Sequence, residues 1–143
     1  MKKGITYLLS TSPSAPSLAS LVMRIVFGGG MALLHGYSKY IRWDEFKSDF
    51  ATPFGMSDVT ALWLTIFAEL FCCLFIAAGL FTRIFSIPII ICMAVAAFNI
   101  HAGDSLADRE GALTYLAAFL VIFFMGSGKY SMDHLLRRFR RNS

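Results

Sequence analysis

The side chains able to do chemistry in this 143-residue sequence sit mostly in apolar company. Glu69 lies inside "WLTIFAELFCCLFIAAGLF", residues 63–81. A carboxylate in such a run is costly unless it faces a helix-bundle interior or a cavity and has a partner. At 1.5 Å per residue it is about 16 Å from either end of its helix, too deep to snorkel to water. An earlier apolar run holds Arg24 and His35, eleven residues apart, with Lys39 one turn beyond. At 100° per residue Arg24 and His35 fall within about 20° of each other, roughly 16 Å apart along the axis. If the two runs are antiparallel, Glu69 falls level with the gap between them, one carboxylate between two potential cations. A third run ends in Asn99 and His101, about 200° apart around a helix, so only one of them points fully inward. Asn99 is expected inward and His101 at the interface. Glu110 and Tyr115 open a fourth run. Glu69, His35 and Lys39 are therefore the candidate catalytic residues. Asn99, Tyr115, Glu110, Arg24 and His101 are candidate ligand contacts, and no metal site is expected.

Each has a plainer reading. Arg24 and Glu69 could form a buried ion pair that only fixes helix register. His35 and Lys39 could be headgroup contacts, and Asn99 could hydrogen-bond a neighbouring helix. Cys72, Cys73 and Cys92 read as small buried apolar residues, because no C-x-x-C pair exists. Function is favoured by convergence: Glu69, His35, Lys39 and Asn99 all fit the middle-to-outer part of one small bundle.

The positioning elements follow from composition. The chain is 57% hydrophobic and 15% charged, with mean hydropathy +0.63, which places it in the membrane class. Four runs, about 18–40, 59–81, 84–101 and 111–128, are near the ~20 apolar residues a helical span needs. They are continuous rather than alternating, which argues against a β-barrel. The expected fold is an all-α membrane protein, a four-transmembrane-helix bundle with short interfacial amphipathic helices. Residues 1–17 form a cytoplasmic or interfacial lead-in and 129–143 a basic amphipathic tail. With the N-terminus cytoplasmic, Lys2, Lys3, Arg83, Lys129 and four C-terminal arginines lie inside. Lys39, Arg42, Lys47 and Arg109 lie outside, diluted by acidic residues. The positive-inside rule then puts both termini in the cytoplasm.

Connections add detail. In "RWDEFKSDF" Trp43, Phe46 and Phe50 share a face, giving a flat interfacial helix or a cover over the bundle mouth. Gly28, Ala32 and Gly36 form a small-residue ridge for close helix approach. Gly79 suits a helix end, Asp108 an N-cap and Pro88 a kink. Ser131 caps "SMDHLLRRFRR", whose arginines face anionic lipid headgroups. Nucleic acid is not an expected partner.

Taken in order, several stretches resemble the DoxX family of small four-helix bacterial membrane proteins. They are "RIVFGGGMALLHGYSKY" with His35, Gly36 and Lys39, then "AELFCCLFIAAGLFTR" with Glu69, then "FNIHAG" and Glu110. The last is "GSGKYSMD", with Gly126, Gly128, Ser131 and Asp133. The resemblance runs from about Leu18 to Asp133. It implies a bacterial inner-membrane protein and a redox-associated role, since relatives include a subunit of a thiosulfate:quinone oxidoreductase.

The reading that follows is a quinone-linked membrane redox subunit, an oxidoreductase component by resemblance. Quinone chemistry needs hydrogen-bond and proton donors beside an apolar aromatic pocket, which His35, Lys39, Glu69 and Tyr115 could supply. No flavin, haem or iron–sulfur motif appears. His35 and His101 are the one pair that could ligate haem from two spans, which is not expected. Electrons would come from a redox partner protein or a soluble donor, and a homo-oligomer is the other partner considered. The alternatives are a small proton-coupled transporter using Glu69, or a non-catalytic membrane assembly partner.

Overall fold

The computed structural model describes residues 15–142. Most of the expected lead-in, with Lys2 and Lys3, lies outside the described residues. We number the helices α1 (Pro16–Ile41), α2 (Trp43–Phe46), α3 (Asp58–Ala78), α4 (Thr82–Ile100), α5 (Leu106–Met125) and α6 (Met132–Asn142). Among the described residues α1, α3, α4 and α5 are the long rods, and no strand occurs. The fold is all-helical. α1, α3 and α4 are each long and apolar enough to cross a membrane. α5 carries Asp108, Arg109 and Glu110 in its first turns, so its continuous apolar stretch starts only at Gly111. The rods close into a ring in which α1 packs on α3, α3 on α4, α4 on α5 and α5 on α1.

The ring buries Met31, Leu62, Ile66, Ile76, Ile89, Phe119 and Ile122. Its outside is equally apolar: Leu33, Leu34, Ile84, Ile91, Phe98 and Phe124 are exposed. Helices that are apolar all round belong in a bilayer, where the outer face meets acyl chains.

Local chemistry sets the helix ends. α3 starts at Ser57, whose Oγ accepts the Thr60 N–H at 3.3 Å. It ends at Gly79 (φ +73°), where the Gly79 N–H donates to Ile76 O at 2.9 Å and the Leu80 N–H to Phe75 O at 3.0 Å. This is the Schellman pattern, and the left-handed backbone suits glycine. α5 is capped by Ser105, not by Asp108. The Ser105 Oγ accepts the Asp108 N–H at 3.4 Å and donates to the Asp108 carboxylate at 2.6 Å. Asp108 thus returns the contact through its carboxylate, to the Ser105 hydroxyl rather than to the Ser105 N–H of a capping box. α4 runs through Pro88 as one helix.

The "RWDEFKSDF" stretch is helical only over Trp43–Phe46. Trp43, Phe46 and Phe50 pack toward the core, and Trp43 lies 4.7 Å from Trp63 of α3. The segment is a cover over one end of the ring rather than a long flat helix. On its solvent side Arg42 and Glu45 pair at 2.6 Å. That hydrogen bond raises the Arg42 pKa and lowers that of Glu45.

Four π-helical segments interrupt the rods: Arg24–Gly29, Met31–Gly36, Phe67–Cys72 and Ala96–Ile100. The Tyr37 N–H reaches back five residues to Ala32 O, and the His101 N–H does the same to Ala96 O at 3.0 Å. Each such turn takes in an extra residue and shifts the phase of everything after it.

α1 and α3 approach closely at Gly36. A Cβ on Gly36 would lie 2.5 Å from Leu70 N and 2.7 Å from Glu69 C, both backbone atoms that cannot move aside. A Cβ on Gly29 would meet nothing within 4 Å. Gly36→Ala is therefore expected to cost about 1–3 kcal/mol in a reversible unfolding titration in detergent. Gly29→Ala should be neutral or slightly stabilising, since it only improves helix propensity.

Candidate functional site

With Gly36 seated on Leu70, Lys39 is one turn further along α1 and reaches Glu69 of α3. Nζ and Oε2 are 2.5 Å apart, with side chains 18% and 6% exposed. Glu69 thus has its cation, but it is Lys39 and not Arg24. Thr65, one turn before Glu69, faces the Cys92 thiol of α4, which lies within electrostatic reach of both Glu69 and Lys39. Spacing alone could have found Thr65, four residues before Glu69 and so on the same face.

Beside the pair lies an aromatic group. Tyr115 of α5 is half-buried. Its ring is edge-on to His35 at 5.5 Å and to Phe27 at 5.9 Å, and stacks on Phe119 at 6.3 Å. Its hydroxyl lies over Gly30, 3.9 Å from where a Cβ would stand. Tyr115 also lies within electrostatic reach of Glu69. His35 is exposed on the α1 surface. Neither the His35 ring nitrogens nor the Tyr115 hydroxyl hydrogen-bonds another described residue. α5 touches α1 mainly along the N-terminal half of α1, so the two helices part toward His35 and Lys39.

The other candidates are elsewhere. Asn99 is exposed, against the inward placement expected from helical phase. His101 is in the α4–α5 loop, its Nδ1 2.6 Å from Asp104 Oδ2. Glu110 is exposed at the start of α5 and makes no ion pair with a described residue.

Arg24 is at the opposite end of the ring, 1% exposed. Its Nη1 donates to Ala77 O at 2.9 Å and Ile76 O at 3.4 Å, and its Nη2 to Tyr130 O at 2.6 Å. The first two carbonyls end α3, where a cation is favoured by the helix dipole. The expected Arg24–Glu69 pair does not form, because Arg24 stands level with Ala77 and not with Glu69. Around Arg24 the "GSGKYSMD" turn folds onto the α3–α4 corner. Ser20 Oγ donates to Gly126 O at 2.6 Å and Ser131 Oγ to Gly128 O at 2.7 Å. Ser131 Oγ also accepts the His134 N–H at 3.2 Å, the cap of α6. The Asp133 N–H donates to Gly79 O at 3.2 Å. The Asp133 carboxylate accepts the Phe81 N–H at 3.1 Å through each oxygen, holding Phe81 at φ +47°.

The DoxX family profile matches residues 19–102, more than half of the chain. The chain belongs to the DoxX family. It is an integral membrane protein by that membership and by its three long apolar helices. No curated protein and no solved structure matches it. The DoxX match contains Arg24, His35, Lys39, Glu69, Asn99 and His101. Glu110, Tyr115 and the "GSGKYSMD" turn lie beyond it.

The two charge sites make separate predictions for this DoxX protein. Lys39 is two residues from the end of α1, and its flexible stem can carry a freed ammonium toward headgroup level. Glu69 has no such exit. Lys39→Met should therefore cost about 3 kcal/mol and Glu69→Gln clearly less. The double variant should regain part of the loss in a double-mutant cycle on detergent unfolding. At the other end, Arg24→Gln should loosen the "GSGKYSMD" turn. Limited trypsinolysis should then cut after Lys129 at least severalfold faster than in the wild type.

Proposed function

We propose that this DoxX protein is a redox-associated subunit of the bacterial inner membrane that takes a quinone between α1 and α5. In this reading α5, from Gly111, is the fourth span and the four-helix bundle is complete. The end bearing α6 and Arg83 faces the cytoplasm, as the distribution of basic residues favours. The bundle is bounded by residues 1–17 before it and 129–143 after it, and its arginine-rich tail meets anionic lipids.

The observation that carries the reading is the Lys39–Glu69 pair, 2.5 Å apart, behind an aromatic face with unused hydrogen-bonding groups. Residues and ligand class fit. Phe27 and the Tyr115 ring, backed by the buried Phe119, offer flat apolar contact, and the Tyr115 hydroxyl and His35 offer donors to carbonyl oxygens. A bound quinone supplies a carrier that takes up electrons and protons together. His35 and Tyr115 orient such a ring. Lys39 and Glu69 hold a proton at the ammonium or carboxylate, within electrostatic reach of Tyr115. α5 diverges from α1 at this level, so entry is sideways from the bilayer, where a lipid-soluble ligand already is. Electrons come from a redox partner protein. Asn99, His101 and Glu110 are outside this site, at its rim or beyond.

The test is extraction. Protein purified in mild detergent should release a quinone into organic solvent, seen by mass spectrometry. Tyr115→Phe and His35→Ala should each lower the retained amount about tenfold, the size of one or two lost hydrogen bonds. Gly29→Ala should leave it unchanged. A wild-type protein that releases no lipid-soluble redox molecule sinks the reading.

A further inference from the structure

The α6 end of the ring holds a groove of about 770 Å³, lined by residues from α4, α6 and the turn after α5. Arg83, Arg137 and Arg140 line it beside a single carboxylate, Asp133. That carboxylate is already engaged by the Phe81 N–H. Arg83 Nη2 donates to Phe124 O at 3.3 Å and Arg137 Nε to Asp133 O at 3.2 Å. None of the three guanidinium groups forms an ion pair with a carboxylate of the described residues. Ile84, Met125 and Leu136 add apolar wall.

Thr82 also lines the groove. It is 1% exposed, and its Oγ1 has no hydrogen-bond partner among the described residues, an expensive state for a buried hydroxyl. Thr82 and Arg83 are the first residues of α4, so their N–H groups have no carbonyl within the helix to donate to. The residue before them, Phe81, cannot cap with its side chain. A helix start whose first N–H groups have no acceptor within the helix, a hydroxyl without a partner among the described residues and three guanidinium groups that pair with no carboxylate of those residues meet the needs of a phosphate. The apolar wall and the exposed Leu135, Leu136 and Met132 of α6 suit the acyl chains attached to one.

We propose that this groove is a binding site for one anionic phospholipid, its phosphate held by Thr82, Arg83 and Arg137 and its chains running along α6. The site rests on the bilayer-embedded reading with α6 at headgroup level. It goes beyond diffuse attraction of lipids to arginines, because it requires Thr82, which is uncharged, and excludes Arg138, which does not line the groove.

The full chain in detergent is titrated with phosphatidylglycerol or phosphatidylcholine and read by native mass spectrometry. The wild type should retain a single phosphatidylglycerol, bound about tenfold more tightly than phosphatidylcholine. Thr82→Val, Arg83→Gln and Arg137→Gln should each weaken it by about threefold to tenfold, and Arg138→Gln by less than about twofold. Thr82→Val breaks no protein hydrogen bond, so it keeps the test valid if an arginine variant fails to fold. Equal losses in Arg137→Gln and Arg138→Gln would overturn the site in favour of net charge. Equal binding of both lipids, or full displacement by inorganic phosphate, would overturn it too. Extraction of the chain from membranes by alkaline carbonate fails the bilayer reading itself, whereas a membrane-retained chain with no lipid preference fails the groove alone.

Discussion

The approach of α1 to α3 at Gly36 is the constraint on which the rest of the structure depends. There the α1 backbone comes so near Leu70 N that no side-chain carbon fits between them. This fixes the antiparallel register of the two helices. One turn along α1 from that point, Lys39 meets Glu69. About 18 Å the other way, Arg24 meets the carbonyls that end α3. In hydrocarbon neither charge could be left to water, so a register that satisfies both at once is strongly selected over its neighbours.

The two charges are satisfied by different means, and this separates the roles of the two ends. Arg24 has no carboxylate within ion-pairing distance among the described residues. Its Nη1 and Nη2 donate to main-chain carbonyls of α3 and of the turn after α5, so it ties two parts of the chain together and is sealed at 1% exposure. Glu69 is met by a side chain that comes from near a helix end and remains 18% exposed. The first arrangement is a knot. The second has one mobile member and lies beside aromatic groups with hydrogen-bonding capacity to spare, which is what a ligand site requires. The proposed quinone site accordingly belongs with Glu69 and the proposed phosphate site with the surface of the knot.

Much of this was legible in the sequence, and the misses are ones of helix geometry and of tertiary context. Continuous apolar runs announce the long helices. The Gly28–Ala32–Gly36 spacing announces the α1–α3 contact, and Gly79 the turn that follows. Glu69 stands out because carboxylates are rare in such runs. What went astray was rotational phase for Asn99 and axial level for Arg24. Arg24, His35, Glu69 and Asn99 all lie in π-helical segments, where 100° per residue no longer holds. Phase counted from α-helical geometry turned Asn99 inward, whereas it is exposed; Arg24 does face α3, but level with Ala77 and not with Glu69. Thr82 was hidden for another reason. An unpartnered buried hydroxyl is a property of the corner formed by three distant segments, and a threonine among apolar residues gives no sign of it.

The DoxX match ends at residue 102, yet neither polar site is complete there. Arg24 needs Tyr130 O, and the aromatic face beside Lys39 and Glu69 needs Tyr115 and Phe119 of α5. The matched helices α1, α3 and α4 therefore supply the charges and their register, and the region beyond supplies what closes over them. α5 makes none of the bonds that fix that register. Its ligand-facing residues can change without disturbing the Lys39–Glu69 pair, because that pair is set by Gly36 on the far side. On the proposed reading, Lys39 and Glu69 determine that a proton can be handled at this depth, and α5 determines which molecule is there to receive it.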